Sequence, residues 1–300
     1  MHIPVLLDEI IESLNPVPGK KFIDATIDGG GHATAMLEKI VPDGKLLGIE
    51  WDGHLLKQLR ARMDNSEFKD NIILINDSYV NLKSIAEENG FSEVGGILFD
   101  LGMSSWHLEE AGRGFSFQKD EPLDMRFGAY LDIEKDNLSA ERVVNKYPEP
   151  ELVRILKEYG EERFAKPIAT AIVKARKQEQ INSTFQLVGI IKEAVPFWYR
   201  RRKIHFATRT FQALRIAVNN ELENAEKGLG QAIDVLKKGG RLAVISFHSL
   251  EDRVVKNFFR AKSKEEVINL ITKKPLRASL KEITQNPRAR SAKLRVAEKN

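Results

Sequence analysis

Between Asp24 and His32 the chain reads Asp-Ala-Thr-Ile-Asp-Gly-Gly-Gly-His, three glycines set between two acids and a histidine, directly after an apolar run. Glycines at a strand-to-helix junction let a ligand approach the backbone where helix N–H groups point outward. Glu50 stands 19 residues after Gly31 and ends a second apolar run. A carboxylate there can accept hydrogen bonds from both hydroxyls of a ribose. The pair of features points to a nucleoside cofactor, either NAD(P) or S-adenosylmethionine. Gly29-x-Gly31-x-x-Thr34 lacks the third glycine of a dinucleotide fingerprint. Asp24 and Asp28 also suit a cofactor with a cationic amino group better than an anionic pyrophosphate.

Other polar residues follow apolar runs. Asn76-Asp77-Ser78-Tyr79 and Asp100-Leu-Gly-Met-Ser104-Ser105 stand at the carboxyl ends of expected strands, where an open α/β sheet binds ligands. Asp77 serves equally well as a helix N-cap. His248, in Phe247-His-Ser-Leu-Glu-Asp-Arg253, reads either as a substrate contact or as a structural histidine. Asp124 and Arg126 read as an ion pair, with Arg126 also a candidate to line a nucleic-acid cleft. Glu161 and Glu162 read as salt-bridge partners on a helix face. Phe197-Trp-Tyr199 beside Arg200, Arg201, Arg202 and Lys203 offers stacking faces next to phosphate-binding charge. The same aromatics would also serve as core, and Trp198 is assigned there. There is no cysteine, and the six histidines are scattered without a metal-ligand spacing, so no metal is expected. No G-x-S-x-G elbow for a serine hydrolase occurs.

Positioning these residues takes an alternating scaffold. Strands are expected at Lys21–Ile27, Lys45–Glu50, Ile72–Ile75 and Gly96–Leu101, with helices over His32–Val41 and roughly 53–63 and 80–89 between them. Such alternation predicts a parallel sheet with helices on both faces. From 106 to 205 the periodicity is helical, as in Phe164, Ile168 and Ile172. A long helix over 208–237, closed by Gly239-Gly240, leads to strands at Arg241–Phe247, Val267–Ile271 and Ser291–Ala297. The expected organisation is one discontinuous α/β domain, 1–108 with 206–300, and an inserted helical domain, 109–205.

The 300 residues carry a net charge of +4, unevenly spread. Residues 251–300 hold 14 Lys/Arg against 6 Asp/Glu, and no acid occurs from 200 to 216. Basic stretches of this kind suit a polyanionic partner. The longest charge-free run, Gln180–Ile191, has 12 residues, short of the ~18 needed for a membrane span. Asp8, Glu9 and Glu12 precede the first lysine, which no secretory signal allows. The expectation is a cytoplasmic protein without membrane contact, either monomer or homodimer.

The chain resembles the bacterial RsmH (MraW) family, methyltransferases of cytosine N4 in small-subunit (16S) rRNA. The resemblance runs over nearly all 300 residues, through His2-x-Pro4-Val-Leu-Leu, Asp24-Ala-Thr with Gly-Gly-Gly-His32, and Asp100-Leu-Gly-x-Ser-Ser105. It continues through Arg113-Gly-Phe-Ser-Phe117, Leu123-Asp-Met-Arg126, Tyr159-Gly-Glu-Glu162 and Thr208-Arg-Thr-Phe-Gln-Ala213. Ser246-Phe-His-Ser-Leu-Glu-Asp-Arg253 and Asn286-Pro-Arg-Ala-Arg-Ser291 complete it. The resemblance implies a class I S-adenosylmethionine-dependent methyltransferase, a Rossmann-like α/β sheet with an inserted all-helical domain for RNA recognition. It implies cofactor contacts at Gly30, Gly31, His32, Glu50, Tyr79, Asp100 and His107. The family commonly has Asp in place of Glu50, Gly in place of Asp28 and Gln in place of His107.

Methyl transfer to a cytosine exocyclic amine needs an acceptor near its N–H groups, because the nitrogen lone pair is delocalised into the ring. Asp100, Ser104 and Ser105 are the catalytic candidates, Asp100 also being readable as a cofactor ligand alone. Substrate contacts are expected from Arg126, Arg200, Arg201, Arg202, His248, Arg288 and Arg290, with Arg295 a further candidate. The substrate is expected to be 16S rRNA within the small subunit, methylated at a cytidine of the decoding region. The alternatives are a non-catalytic RNA-binding assembly factor on the same fold and a nicotinamide-dependent oxidoreductase.

Overall fold

Apolar residues at alternating positions give each central strand two buried faces. Phe22, Leu46, Leu98, Ala243 and Ile245 point to one layer, and Ile23, Leu47, Ile97, Phe99 and Val244 to the other. Strands buried on both sides belong to a parallel sheet covered by helices. A computed structural model describes residues 4–128 and 138–300, so His2 of the first resembling block lies outside the described residues. The chain divides into two compact units, 1–102 with 222–300, and 103–221. The division therefore gives residues 103–108 and 206–221 to the helical unit, beyond the expected limits.

The first unit opens with α1 (Leu7–Leu14), β1 (Lys21–Asp24), α2 (Gly31–Ile40), β2 (Lys45–Glu50) and α3 (Gly53–Met63). β3 (Ile72–Asn76), α4 (Leu82–Glu88) and β4 (Val94–Asp100) follow. The helical unit contains α5 (Ser105–Glu109), α6 (Ala140–Lys146), α7 (Glu149–Glu158) and α8 (Ala165–Ala175). It continues with α9 (Thr184–Ala194), α10 (Phe197–Arg200) and α11 (Thr208–Asn219). The chain then passes through α12 (Glu221–Val235), β5 (Leu236–Ser246), α13 (Ser249–Lys264), β6 (Ile268–Leu270), α14 (Leu280–Gln285) and β7 (Lys293–Lys299).

The sheet order is β3-β2-β1-β4-β5-β7-β6. β1 to β5 run parallel, and β7 is antiparallel to both β5 and β6. Chain direction along the sheet reverses between β1 and β4, the switch point at which open α/β sheets place their ligands. One face packs against α1, α2 and α3 through Ile10, Met36 and Leu59. The other packs against α4, α12 and α13 through Ile85, Leu229 and Phe259. This is the class I methyltransferase architecture that the resemblance implied. The helical unit has its own core, built around Val143, Leu152, Ile168, Ile172, Leu187 and Phe211. No described helix is long and apolar enough to cross a membrane.

Two expectations change. The long helix over 208–237 is broken at Asn220, whose φ of 49° ends α11 before α12 begins. Asparagine tolerates that left-handed conformation better than most residues. Gly239 and Gly240 do not close a helix. They sit in the first part of β5, where the pairing with β4 jumps from Val94↔Leu236 to Gly96↔Arg241. Gly239 takes φ 73° there, the bulge role open to a glycine in a strand.

Candidate functional site

The first unit gathers acids at the carboxyl ends of β1, β2 and β4. Asp24 is buried and its Oδ1 accepts from Thr26 N at 3.3 Å. Asp28 adopts φ 46°, and its N–H donates to Glu50 Oε2 at 3.1 Å. The other Glu50 oxygen, Oε1, accepts from Asp52 N at 2.8 Å. Asp52 in turn caps α3, accepting from His54 N and Leu55 N. Glu50 is thus held between the β1–α2 and β2–α3 turns by one backbone bond on each oxygen, which leaves further lone pairs for a ligand. Across the switch point, Asp100 N donates to Thr26 Oγ1 at 2.6 Å, tying β4 to the same turn.

The glycines of the turn have different jobs. Gly30 takes φ 75°, a left-handed conformation, and a Cβ there would stand 2.6 Å from Leu59 Cδ1. A Cβ on Gly31 would meet the Pro4 ring at 2.5 Å. The glycine at 31 therefore admits Pro4, a protein contact that a ligand-clearance reading from sequence does not anticipate.

Crowding shifts these acids. Burial pushes the Asp24 carboxyl up to about 7 against the pull of its bond from Thr26 N. Burial likewise raises Glu50 to about 7, with Asp52 and Asp24 adding to it and the backbone bonds opposing it. Asp28 is raised by burial first, then by Glu50, Asp100, Asp24 and Asp52. Asp100 is raised by burial, then by Asp24 and Glu251. Its Oδ1 is buried and accepts no hydrogen bond from the described residues, while Oδ2 faces His32 Nδ1 at 3.7 Å. Buried carboxylates in one another's field favour a cationic ligand.

Tyr79 packs edge-on against Phe99 at 5.5 Å between centroids. A Cβ on Gly228 of α12 would approach its ring to 2.7 Å, so that glycine lets the helix close over the tyrosine. Asp77 serves its own turn, accepting from Ser78 N and Asn81 Nδ2. His248 caps α13, its Nδ1 accepting from Glu251 N. The Glu251 carboxylate accepts from Phe247 N at 2.8 Å and His248 N at 3.2 Å. Glu251, buried and within Asp100's electrostatic reach, is a site residue that the sequence reading passed over. The His-x-x-Glu spacing of a capping box could have flagged it.

The remaining candidates of the first unit lie elsewhere. Arg288 and Arg290 are exposed on the turn Pro287–Ser291. Arg295 is buried and donates to Asp252 Oδ1 at 2.7 Å, so the expectation that it meets phosphates is replaced by a structural pair.

In the helical unit Ser104 caps α5, with Oγ 2.9 Å from His107 Nδ1. Ser105 Oγ is buried with no hydrogen-bond partner among the described residues. The His107 ring is boxed by Trp106, Phe115 and Phe127. Arg126 forms a two-point pair with Asp124 at 2.6 and 2.8 Å. Trp198, expected in the core, is 52% exposed, and Phe197 is 63% exposed. Only Tyr199 of the three turns inward, donating to the buried carboxylate of Glu162. Glu162 is accordingly an internal acceptor and no helix-face partner. Arg201 lies over the Phe197 ring at 4.4 Å and Arg163 over Trp198 at 5.6 Å. Arg200 is half-buried, donating to Val195 O, while Arg201, Arg202 and Lys203 are exposed.

Comparison with known proteins gives a consistent result. The MraW methylase family model matches residues 1–300. The chain is 44% identical to the ribosomal RNA small subunit methyltransferase H of Heliobacterium mobile, over 99% of this chain and 98% of the relative. It is 45% identical to the protein of the same description from Persephonella marina, over 99% of each chain. A Clostridium botulinum relative, again so described, is 44% identical over 99% of this chain and 98% of its own.

Proposed function

This chain belongs to the MraW methylase family, and from that premise we propose that it methylates small-subunit rRNA with S-adenosylmethionine, at N4 of a decoding-region cytidine. The relatives' description as small-subunit rRNA methyltransferases supports the substrate. The observation that carries the reading is the acid-lined end of β1, β2 and β4, with Asp100 Oδ1 buried and unengaged.

The residues present fit S-adenosylmethionine. Its amino group and sulfonium are cations, and they answer the buried carboxylates that burial alone would drive toward protonation. Gly30, Gly31 and His32 would hold it at the N-terminus of α2, with Glu50 accepting from the ribose hydroxyls and Tyr79 packing nearby. Bound, it supplies a methyl group on a sulfonium. Positioning and exclusion of water then account for most of the catalysis.

The protein's own task is to prepare the amine. Asp100 Oδ1 accepts a hydrogen bond from the amine N–H, localises the nitrogen lone pair and takes the proton as the new N–C bond forms. The helical unit holds the RNA: Phe197 and Trp198 give exposed stacking faces, and Arg201, Arg202 and Lys203 give charge to phosphates. Reading a cytosine edge requires the base unstacked, which suits exposed aromatics.

The test is transfer of labelled methyl from S-adenosylmethionine to free rRNA and to small subunits, followed by digestion to nucleosides. Label in N4-methylcytidine supports the reading. Label in another nucleoside overturns the N4 assignment, and RNA binding without transfer leaves a non-catalytic assembly factor. Calorimetric titration with S-adenosylmethionine against NAD tests the cofactor separately.

A further inference from the structure

We propose that His32 and Asp100 hold one proton between them, and that His32 is the positioning residue that keeps Asp100 an acceptor. The catalytic half of this inference rests on the function proposed above; the proton-sharing half does not.

The geometry sets the protonation of the ring. His32 Nε2 lies 2.9 Å from the carbonyl oxygen of Val5. A carbonyl only accepts, so Nε2 carries a hydrogen. Nδ1 then faces Asp100 Oδ2 at 3.7 Å. A neutral ring would aim a bare lone pair at that oxygen, which is repulsive if Asp100 is ionised. Two arrangements avoid the repulsion: imidazolium beside carboxylate, or imidazole beside carboxylic acid. Each places one proton in the pair. Both side chains are largely buried, His32 at 7% and Asp100 at 13% exposure, so water screens their interaction poorly.

The surroundings make the pair consequential. Asp24 at the end of β1 and Glu251 on α13 both oppose ionisation of Asp100. Asp28 in the β1–α2 turn interacts with Asp100 as well. A protonated Asp100 donates or accepts by rotation, but an ionised one only accepts, and the amine requires an acceptor. The imidazolium of His32 is the cation at Oδ2 that favours the ionised form, leaving Oδ1 open to the amine. In turnover the amine's proton moves to Oδ1. The pair then carries two protons and releases one to solvent before the next cycle. The Val5 carbonyl fixes the ring, so the segment ahead of α1 has a defined part in the arrangement.

Histidine-selective ¹⁵N NMR on the full chain without cofactor reads the pair directly, with His32→Gln assigning the signal. Nε2 is expected to stay protonated throughout the titration. Nδ1 is expected to keep its proton to higher pH in the wild type than in Asp100→Asn. An Nδ1 titration unchanged in Asp100→Asn would overturn the pair, as would a His32 ring protonated on Nδ1 alone. The second arm uses His32→Gln, whose amide can still donate to Val5 O. It is expected to bind S-adenosylmethionine within threefold of wild type, to transfer methyl about tenfold or more slowly in single turnover, and to shift one limb of the pH–rate profile. A wild-type rate and profile in a folded His32→Gln would overturn the positioning role. Absence of transfer to RNA by the wild type would instead overturn the proposed function, while leaving the NMR result to stand or fall alone.

Discussion

The sheet unit and the helical unit handle charge in opposite ways. At the ends of β1, β2 and β4 the charged groups are acids, buried close together and raised by desolvation. Around α10 they are cations, exposed and laid over aromatic rings. A buried charge without a counter-charge costs several kcal/mol, so each acid at the sheet edge should matter individually. An exposed cation is already solvated and contributes chiefly by releasing counterions when it meets a phosphate. Single substitutions should therefore have large effects in the first region and small, salt-dependent ones in the second.

The largest effect is expected at Asp100. Asp100→Asn can still accept one hydrogen bond through its amide oxygen but cannot take a proton, and its NH₂ would oppose the amine donor to donor. Single-turnover methyl transfer should fall about 10²–10⁴-fold, the usual span for an acid–base group, with a much smaller change in cofactor affinity. A near-normal rate with weakened cofactor binding would make Asp100 a cofactor ligand only.

Glu50 comes next. Glu50→Ala removes the acceptor for ribose and also frees Asp28 N and Asp52 N. Cofactor affinity by calorimetry is expected to drop by about 1–3 kcal/mol, the worth of hydrogen bonds to a charged group. Unchanged affinity would remove Glu50 from the site.

The acids also impose a pH dependence with a definite sign. Asp24 and Glu50 have folded-state values near 7, above their ordinary carboxylate range. The folded protein without cofactor therefore binds more protons than the unfolded chain between about pH 4 and 7, and these groups make it less stable as pH rises through that window. Cofactor affinity should move the other way, strengthening over the same window, because a protonated acid cannot offset a cation. Each proton displaced contributes at most about tenfold per pH unit. Calorimetry in buffers of different ionisation enthalpy would show proton release on binding, and a pH-independent affinity would contradict the reading.

The two regions also differ in how far the sequence discloses them. The sheet edge was legible because its elements are periodic and its glycines and acids are closely spaced. β2 runs over Lys45–Glu50, and Asp28 and Glu50 meet where the strand–turn–helix pattern requires. The passed-over Glu251 enters from α13, some 150 residues from Asp100 in sequence, through a contact that no local pattern carries. Gly31 misled because its neighbour Pro4 comes from a separate turn. Trp198 misled for a physical reason: on a four-residue helix, α10, the aromatic triplet leaves one ring inward and two outward, and composition does not say which.

The smallest expected effect separates the arginines of the basic run. Arg200 is occupied at home, donating to Val195 O with Glu193 at 3.8 Å, whereas Arg201 and Arg202 are exposed beside Phe197 and Tyr199. Replacing Arg201 and Arg202 with alanine should lower the slope of log affinity against log salt for single-stranded RNA by about 1.4, at ~0.7 per phosphate contact. Adding Arg200→Ala should change the slope little and instead lower the melting temperature of the protein, because a bond to the end of α9 is lost. Cofactor affinity should be the same in all three proteins, since none of these residues belongs to the sheet unit. An unaltered slope in the double variant would reduce the run to a solvated face. An equal further drop on removing Arg200 would show that RNA draws that side chain away from Val195.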